Sequence, residues 1–367
     1  MGVIDRQRHE VVIGMNYWMS VVFRAIPLAM MGVCIGYGVY IWMDGDAPGN
    51  FVAGRVVTFL GAICLCLFCT AATIIRQLIG RFNTVDKIFY PTLGFAAAIG
   101  TAVYGIVIFA GADSVPAKEY VAGHVVFGLG LISGCVATVA TASTKFTLIP
   151  QNSSQPENDK HPPATAFGGG SVLVLSAIPV ALAVTAWVFA IINLAQTVTP
   201  GRFTVGHVVA GLAMICTSLI GLVFSIVRQI QNTYQPRERM VWPWLVIVMG
   251  ALSMIWGIVV LGLNTKQYYL TPGFVMIGLG LVCFSILSKV GLLALVWRRT
   301  FDLANRVPLL PVITALGCLF LASFVFQGAV DNSNLFIGAR VLAGLGAICF
   351  SLYSIVSILE SGTSSSK

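Results

Sequence analysis

One apolar segment recurs five times along this chain, so any fold must be assembled from a unit repeated at that period. The copies run from Asn50 to Cys64, Glu119 to Ser133, Phe203 to Cys216, Tyr269 to Cys283 and Phe336 to Cys349. Aligned on the residue after a shared glycine, one further on in the last copy, they mark Arg55, His124, His207, Phe274 and Arg340. Nine residues after each marker stand Cys64, Ser133, Cys216, Cys283 and Cys349. Successive markers are 69, 83, 67 and 66 residues apart, and the one long interval holds a polar insert.

The unit is a membrane unit. With 57% hydrophobic and 9% charged residues and a mean hydropathy of +0.91, the chain has too little charge to cover a water-facing surface. It is therefore expected to be an all-α polytopic membrane protein. The net charge of +8 is then a matter of membrane orientation, and no nucleic-acid partner is expected. The nine cysteines fall in apolar runs, where a thiol packs as a small hydrophobe. Cys66 and Cys69 form a C-x-x-C inside such a run with no acid or histidine nearby, so neither metal nor redox chemistry is read into them. Residues 1 to 16 carry charges and no cleavage site after a short apolar core, and no removable signal peptide is expected.

A bilayer core of about 30 Å takes about 20 apolar residues per helix. Ten runs qualify: 17–43, 51–75, 88–111, 120–143, 171–194, 204–227, 241–263, 272–297, 307–330 and 336–359. The short connections after the odd runs hold only Lys118, Arg202 and Lys266, whereas fifteen lysines and arginines lie in the other connections and the tails. The positive-inside rule places both termini in the cytoplasm. The segment 144–170 is rich in Pro, Gly and polar residues and reads as a flexible cytoplasmic linker. The whole chain is one transmembrane domain of five helical hairpins, about 17–75, 88–143, 171–227, 241–297 and 307–359. A two-helix unit returns the chain to the side it left, so all five share one orientation and their pseudo-symmetry axis lies along the membrane normal. The expected architecture is a pseudo-fivefold ring of ten helices, five inner and five outer.

The odd helices carry a second series, Pro27, Pro91, Pro179, Pro243 and Pro311, at 28 to 33 residues before the marker of the same unit. Proline removes a backbone donor and bends a helix, or sits harmlessly in a first turn. Pro27 and Pro179 look interior, Pro91 and Pro311 near-terminal.

Catalytic residues are hard to find. All thirteen acids fall in tails, loops or helix ends, which argues against a carboxylate relay for ion coupling. Nucleotide, zinc-protease and hydrolase motifs are missing, and Gly128-Leu-Gly130 lacks the third glycine of a dinucleotide fingerprint. No enzyme activity, cofactor or metal site is expected. The marker level is the better candidate: if Arg55, His124, His207, Phe274 and Arg340 faced the ring axis, they would rim an outer mouth selective for anions. The alternative is that these side chains snorkel or cap a recurring structural position. The recurring glycines, such as Gly128, Gly211, Gly278 and Gly344, read first as close-packing positions and second as pore lining. Phe320 is the candidate gate.

At Val52-Ala-Gly-Arg55, Val121-Ala-Gly-His124, Ser288 to Thr300 and Ser351 to Glu360 the chain resembles an uncharacterised family of bacterial inner-membrane proteins represented by YhiM. That resemblance implies a bacterial inner-membrane location and carries no substrate or catalytic residue with it. In architecture alone, the ten helices and the proline series are similar to the superfamily of plant slow anion channels and bacterial tellurite-resistance proteins. This second resemblance implies odd helices lining a central anion pore closed by a phenylalanine. The functional expectation is a channel or uniporter for a small anion along the pseudo-fivefold axis, with membrane lipids as the other partners. The runner-up is a non-transporting scaffold or stress-response protein that binds lipid or a partner. The oligomeric state is left open.

Overall fold

A computed structural model describes residues 17–45, 47–78, 82–112, 118–144, 169–197, 199–230, 235, 237–263, 266–296, 309–329 and 332–364. Those residues form ten α-helices and one 3-10 turn, Gln267–Tyr269. In chain order the helices are α1 Tyr17–Met43, α2 Pro48–Leu78, α3 Thr84–Ala110, α4 Lys118–Ser143, α5 Gly169–Leu194, α6 Pro200–Ile230, α7 Glu238–Gly262, α8 Leu270–Val296, α9 Leu309–Phe326 and α10 Ser333–Ser364. All ten are long and apolar enough to cross a membrane. Most of the linker, 145–168, lies outside the described residues.

Local chemistry sets the ends. Pro48 and Pro200 open α2 and α6 a turn earlier than the apolar runs begin, because a first-turn proline lacks only a donor that would be orphaned anyway. Asn83 caps α3 in a capping box with Asp86, and Arg76 at the end of α2 donates to the same carboxylate at 2.8 Å. Within the spans, hydroxyls such as those of Thr58, Thr138 and Thr217 donate to the carbonyl four residues back, which satisfies them where no water is available.

The two helix sets differ in environment. In the even helices 67–94% of the span is buried, in the odd helices only 17–33%. Each odd helix packs on the even helix that follows it and, less extensively, on another even helix. The even helices touch one another in the order α2, α4, α6, α8, α10, and α10 touches α2. The odd helices are therefore the outer set, opposite to the arrangement that the slow-anion-channel resemblance implies.

Glycine explains how closely the two sets approach. A Cβ built on Gly105 of α3 would lie against the Phe127 backbone nitrogen and 2.8 Å from the Gly123 carbonyl oxygen. Gly54 faces the Gly38 carbonyl and Gly257 faces the Gly273 carbonyl in the same way. In four of the five copies the glycine preceding the marker thus lies against the backbone of the preceding helix, where dispersion between closely packed helices replaces the hydrophobic effect, whereas Gly338 of the last copy meets only the Phe274 and Val325 side chains at 3.9 Å.

Candidate functional site

The even helices share a second pattern: positions 1, 5, 8, 12 and 15 residues after each marker are buried, as is position 19 in the first four. Spacings of four and three alternate, as in the inward seam of a coiled coil. Position 5 is leucine throughout: Leu60, Leu129, Leu212, Leu279 and Leu345. Four of these lay a methyl over a glycine of the neighbouring even helix, Leu212 on Gly128, Leu279 on Gly211, Leu345 on Gly278 and Leu60 on Gly344. The fifth pairing is different, because Phe59 stands where α2 would need that glycine. Position 8 brings Ile63, Ile132, Ile215, Val282 and Ile348 together, and position 12 brings Leu67, Val136, Leu219, Ile286 and Leu352.

Two small cavities lie between the five even helices. One, of about 20 Å³, is enclosed by those two layers together with Val139, Leu222 and Lys289. The other, of about 30 Å³, is bounded by Thr70, Val139, Leu222, Lys289 and Ile355 at position 15 and by Ile74, Ser143, Ile226 and Leu293 at position 19. Among the described residues, Lys289 lines both and is the only ionisable side chain that lines either. It is 3% exposed, and no hydrogen bond or ion pair joins it to the described residues. At 1.5 Å per residue it sits roughly 10 Å short of the end of α8, well inside the span. Thr70 and Ser143 supply the only other polar side chains that line the second cavity among the described residues, and their hydroxyls donate to Cys66 O at 3.1 Å and Val139 O at 2.8 Å.

The marker residues are elsewhere. Each lies five residues before the axial leucine, and at roughly 100° per residue its side chain leaves the helix about 140° from the axial direction. Arg55 donates to Phe51 O at 3.2 Å, and its guanidinium lies 3.4 Å from the Phe51 ring centroid and 4.2 Å from that of Trp42. Arg340 repeats this with Phe336 O at 3.3 Å and the rings of Phe336 and Phe326. His124 donates from Nδ1 to Tyr120 O at 2.9 Å and packs on Tyr120, Phe109 and Phe189. His207 donates from Nδ1 to Phe203 O at 2.7 Å and packs on Phe203 and Trp256. Carbonyls only accept, so Nδ1 carries the hydrogen in both rings. Phe274 packs on the cluster of Ala322, Val325 and Leu342. Four of the five markers sit against aromatic rings between an inner and an outer helix and Phe274 packs on an aliphatic cluster, so the expectation of an axial mouth gives way to that geometry.

Phe320 is 76% exposed on the outer face of α9 and cannot close the axis, so the gate expectation is corrected. Pro27, Pro91, Pro179 and Pro243 lie inside α1, α3, α5 and α7, while Pro311 is in the first turn of α9. Cys66 and Cys69 face α3, with the Cys66 thiol donating to Gly94 O at 3.5 Å and Cys69 packing beside Tyr90. Lys289 was the residue that composition hid. It is one of the fifteen cations outside the short connections, and its place 15 residues after Phe274 puts it on the stripe of buried positions.

No solved structure matches this chain. It is 45% identical over 349 residues to the inner membrane protein YhiM of Escherichia coli (strain K12), an alignment that covers 95% of this chain and 99% of that protein. Residues 15–364 match the family described as protein of unknown function (DUF2776). Ten apolar helices, a buried inner set and a match along almost the whole chain make this protein a member of the DUF2776 family.

Proposed function

We propose that this protein is an inner-membrane channel or uniporter for a small anion. Its pathway is the axis of a pseudo-fivefold ring of five hairpins in one orientation, with the even helices inside. The observation that carries the reading is the pair of cavities walled by all five even helices and touched by a single cation. The closed order of contacts among those helices and the recurrence of the unit support it. So does the lack of carboxylates in the middle of the spans, which leaves nothing on the pathway to favour a cation. The relative's inner-membrane location carries over to this chain. The positive-inside bias puts both termini in the cytoplasm, and it holds at fourteen to three when Lys289 is removed from the fifteen. The marker cages then face the periplasm and Lys289 lies in the cytoplasmic half.

The conformation is shut. Three aliphatic layers at positions 5, 8 and 12 span seven residues, about 10 Å of helix, and a constriction that narrow and apolar excludes water by dewetting. The decisive experiment is flux from liposomes containing the purified protein, with potassium gluconate, chloride or nitrate gradients clamped by valinomycin. Anion flux that exceeds cation flux is the expected result; cation selectivity, or no flux from wild type and Ile215→Asn alike, would refute the reading. The runner-up, a non-transporting scaffold or stress-response protein, is favoured by the same aliphatic filling. It predicts silence in both preparations.

A further inference from the structure

We infer that Lys289 is the centre of an axial binding site for one small monovalent anion, with the hydroxyls of Thr70 and Ser143 as supporting donors. The site rests on the axial pathway proposed above. A lysine buried to 3% exposure among aliphatic side chains has no counter-charge among the described residues. An ammonium in that setting is strongly stabilised by an anion beside it. An ionisable side chain at membrane depth is in general a functional one.

The geometry limits the ligand. A cavity of about 30 Å³ admits a body the size of one or two water molecules, which favours an anion of a few atoms over a multi-carbon carboxylate. One lysine balances one negative charge. A divalent anion would keep an unpaired charge in a low-dielectric wall of Ile74, Leu222, Ile226 and Leu293. Those side chains return none of the lost hydration, so weakly hydrated anions such as nitrate and bromide bind better than fluoride. Thr70 and Ser143 now donate to their own helices, and each can turn its hydroxyl from a carbonyl towards the anion. They lie on α2 and α4, so the bound anion draws three inner helices together.

Thermal unfolding of the purified protein in detergent, at constant ionic strength, tests the site. Replacing gluconate by nitrate or bromide stabilises wild type saturably, and at a hundred times the dissociation constant the folded-to-unfolded ratio rises roughly 100-fold. Sulfate and fluoride have little effect. Lys289→Met abolishes the anion dependence and raises the baseline stability, since an apolar isostere removes a buried charge. Should Lys289→Met fail to fold, Thr70→Val and Ser143→Ala serve instead, each raising the half-saturating concentration several-fold. A wild type indifferent to these anions, or variants that respond as it does, overturns the site. Flux separates the two readings. Anion flux unchanged in Lys289→Met sinks the site and leaves the pathway standing, whereas saturable stabilisation without flux keeps the site and removes the pathway.

Discussion

The hairpin contact at Gly105 gives a quantitative test of what the glycines do. In Gly105→Ala the new Cβ would fall on the Phe127 backbone nitrogen and 2.8 Å from the Gly123 carbonyl oxygen, where ordinary contact begins at 3.4 Å. Neither atom belongs to a side chain that can rotate away, so α3 and α4 must part by on the order of 1 Å along their crossing. A gap of that size forfeits a quarter to a half of each dispersion contact it opens. Overpacking typically loses about 1–3 kcal/mol, and this rigid case belongs at about 3 kcal/mol or above. Gly128→Ala is the matched comparison: its Cβ would meet Leu212 Cδ1 at 2.6 Å, the end of a flexible side chain, and the expected loss is about 1 kcal/mol. Gly100→Ala is the control, with nothing within 4 Å, and alanine's better helix propensity stabilises it by up to about 1 kcal/mol. Equilibrium unfolding in mixed micelles with increasing dodecyl sulfate ranks the three. A Gly105→Ala protein within about 0.5 kcal/mol of Gly100→Ala would refute the argument that backbone contact sets the helix spacing.

Ile215→Asn places a wettable side chain in the position 8 layer and should raise liposome leak well above wild type, whereas Phe320→Ala on the outer face should leave flux unchanged. Asp86→Ala removes the capping box of α3 and the partner of Arg76 and should lower stability by about 1–2 kcal/mol in the micelle assay, with Asp86→Asn losing less because an amide oxygen can still cap. All nine cysteines are buried, so a maleimide reagent should label the native protein in mass spectrometry only after dodecyl sulfate is added. Arg55→Ala and Arg340→Ala should each lower stability by about 0.5–2 kcal/mol through lost stacking while the anion-to-cation flux ratio stays at its wild-type value.

Much of this was legible before any coordinates. Run length and hydropathy located ten helices to within a few residues, because the bilayer fixes how many apolar residues a span needs. The recurring glycines Gly128, Gly211, Gly278 and Gly344 read as close-packing positions, and each lies under a leucine of a neighbouring helix. Two things were hidden. A basic residue one turn from a helix end looks the same in sequence whether it faces an axis or a ring of aromatics, and Arg55 and His124 face aromatics. The axial residues are aliphatic like everything around them, so hydropathy cannot separate the side facing the axis from the side facing lipid. The separation came from register, by reading Leu60, Leu129, Leu212, Leu279 and Leu345 against one another. That same register picks Lys289 out of a run that otherwise reads as an ordinary interfacial basic residue.

The layer containing Lys289 bears on why five copies of the recurring segment are carried on one chain. Its other members are Thr70, Val139, Leu222 and Ile355. Five identical subunits around an axis must present either five lysines at one level or none, and five ammonium groups in so small a space would repel one another too strongly to pack. Joining the units lets each inner helix diverge independently, so a single charge can occupy a nearly symmetric cavity. The asymmetry then depends on the units being joined, which lets a layer that would otherwise be uniformly greasy or uniformly charged carry a single charge.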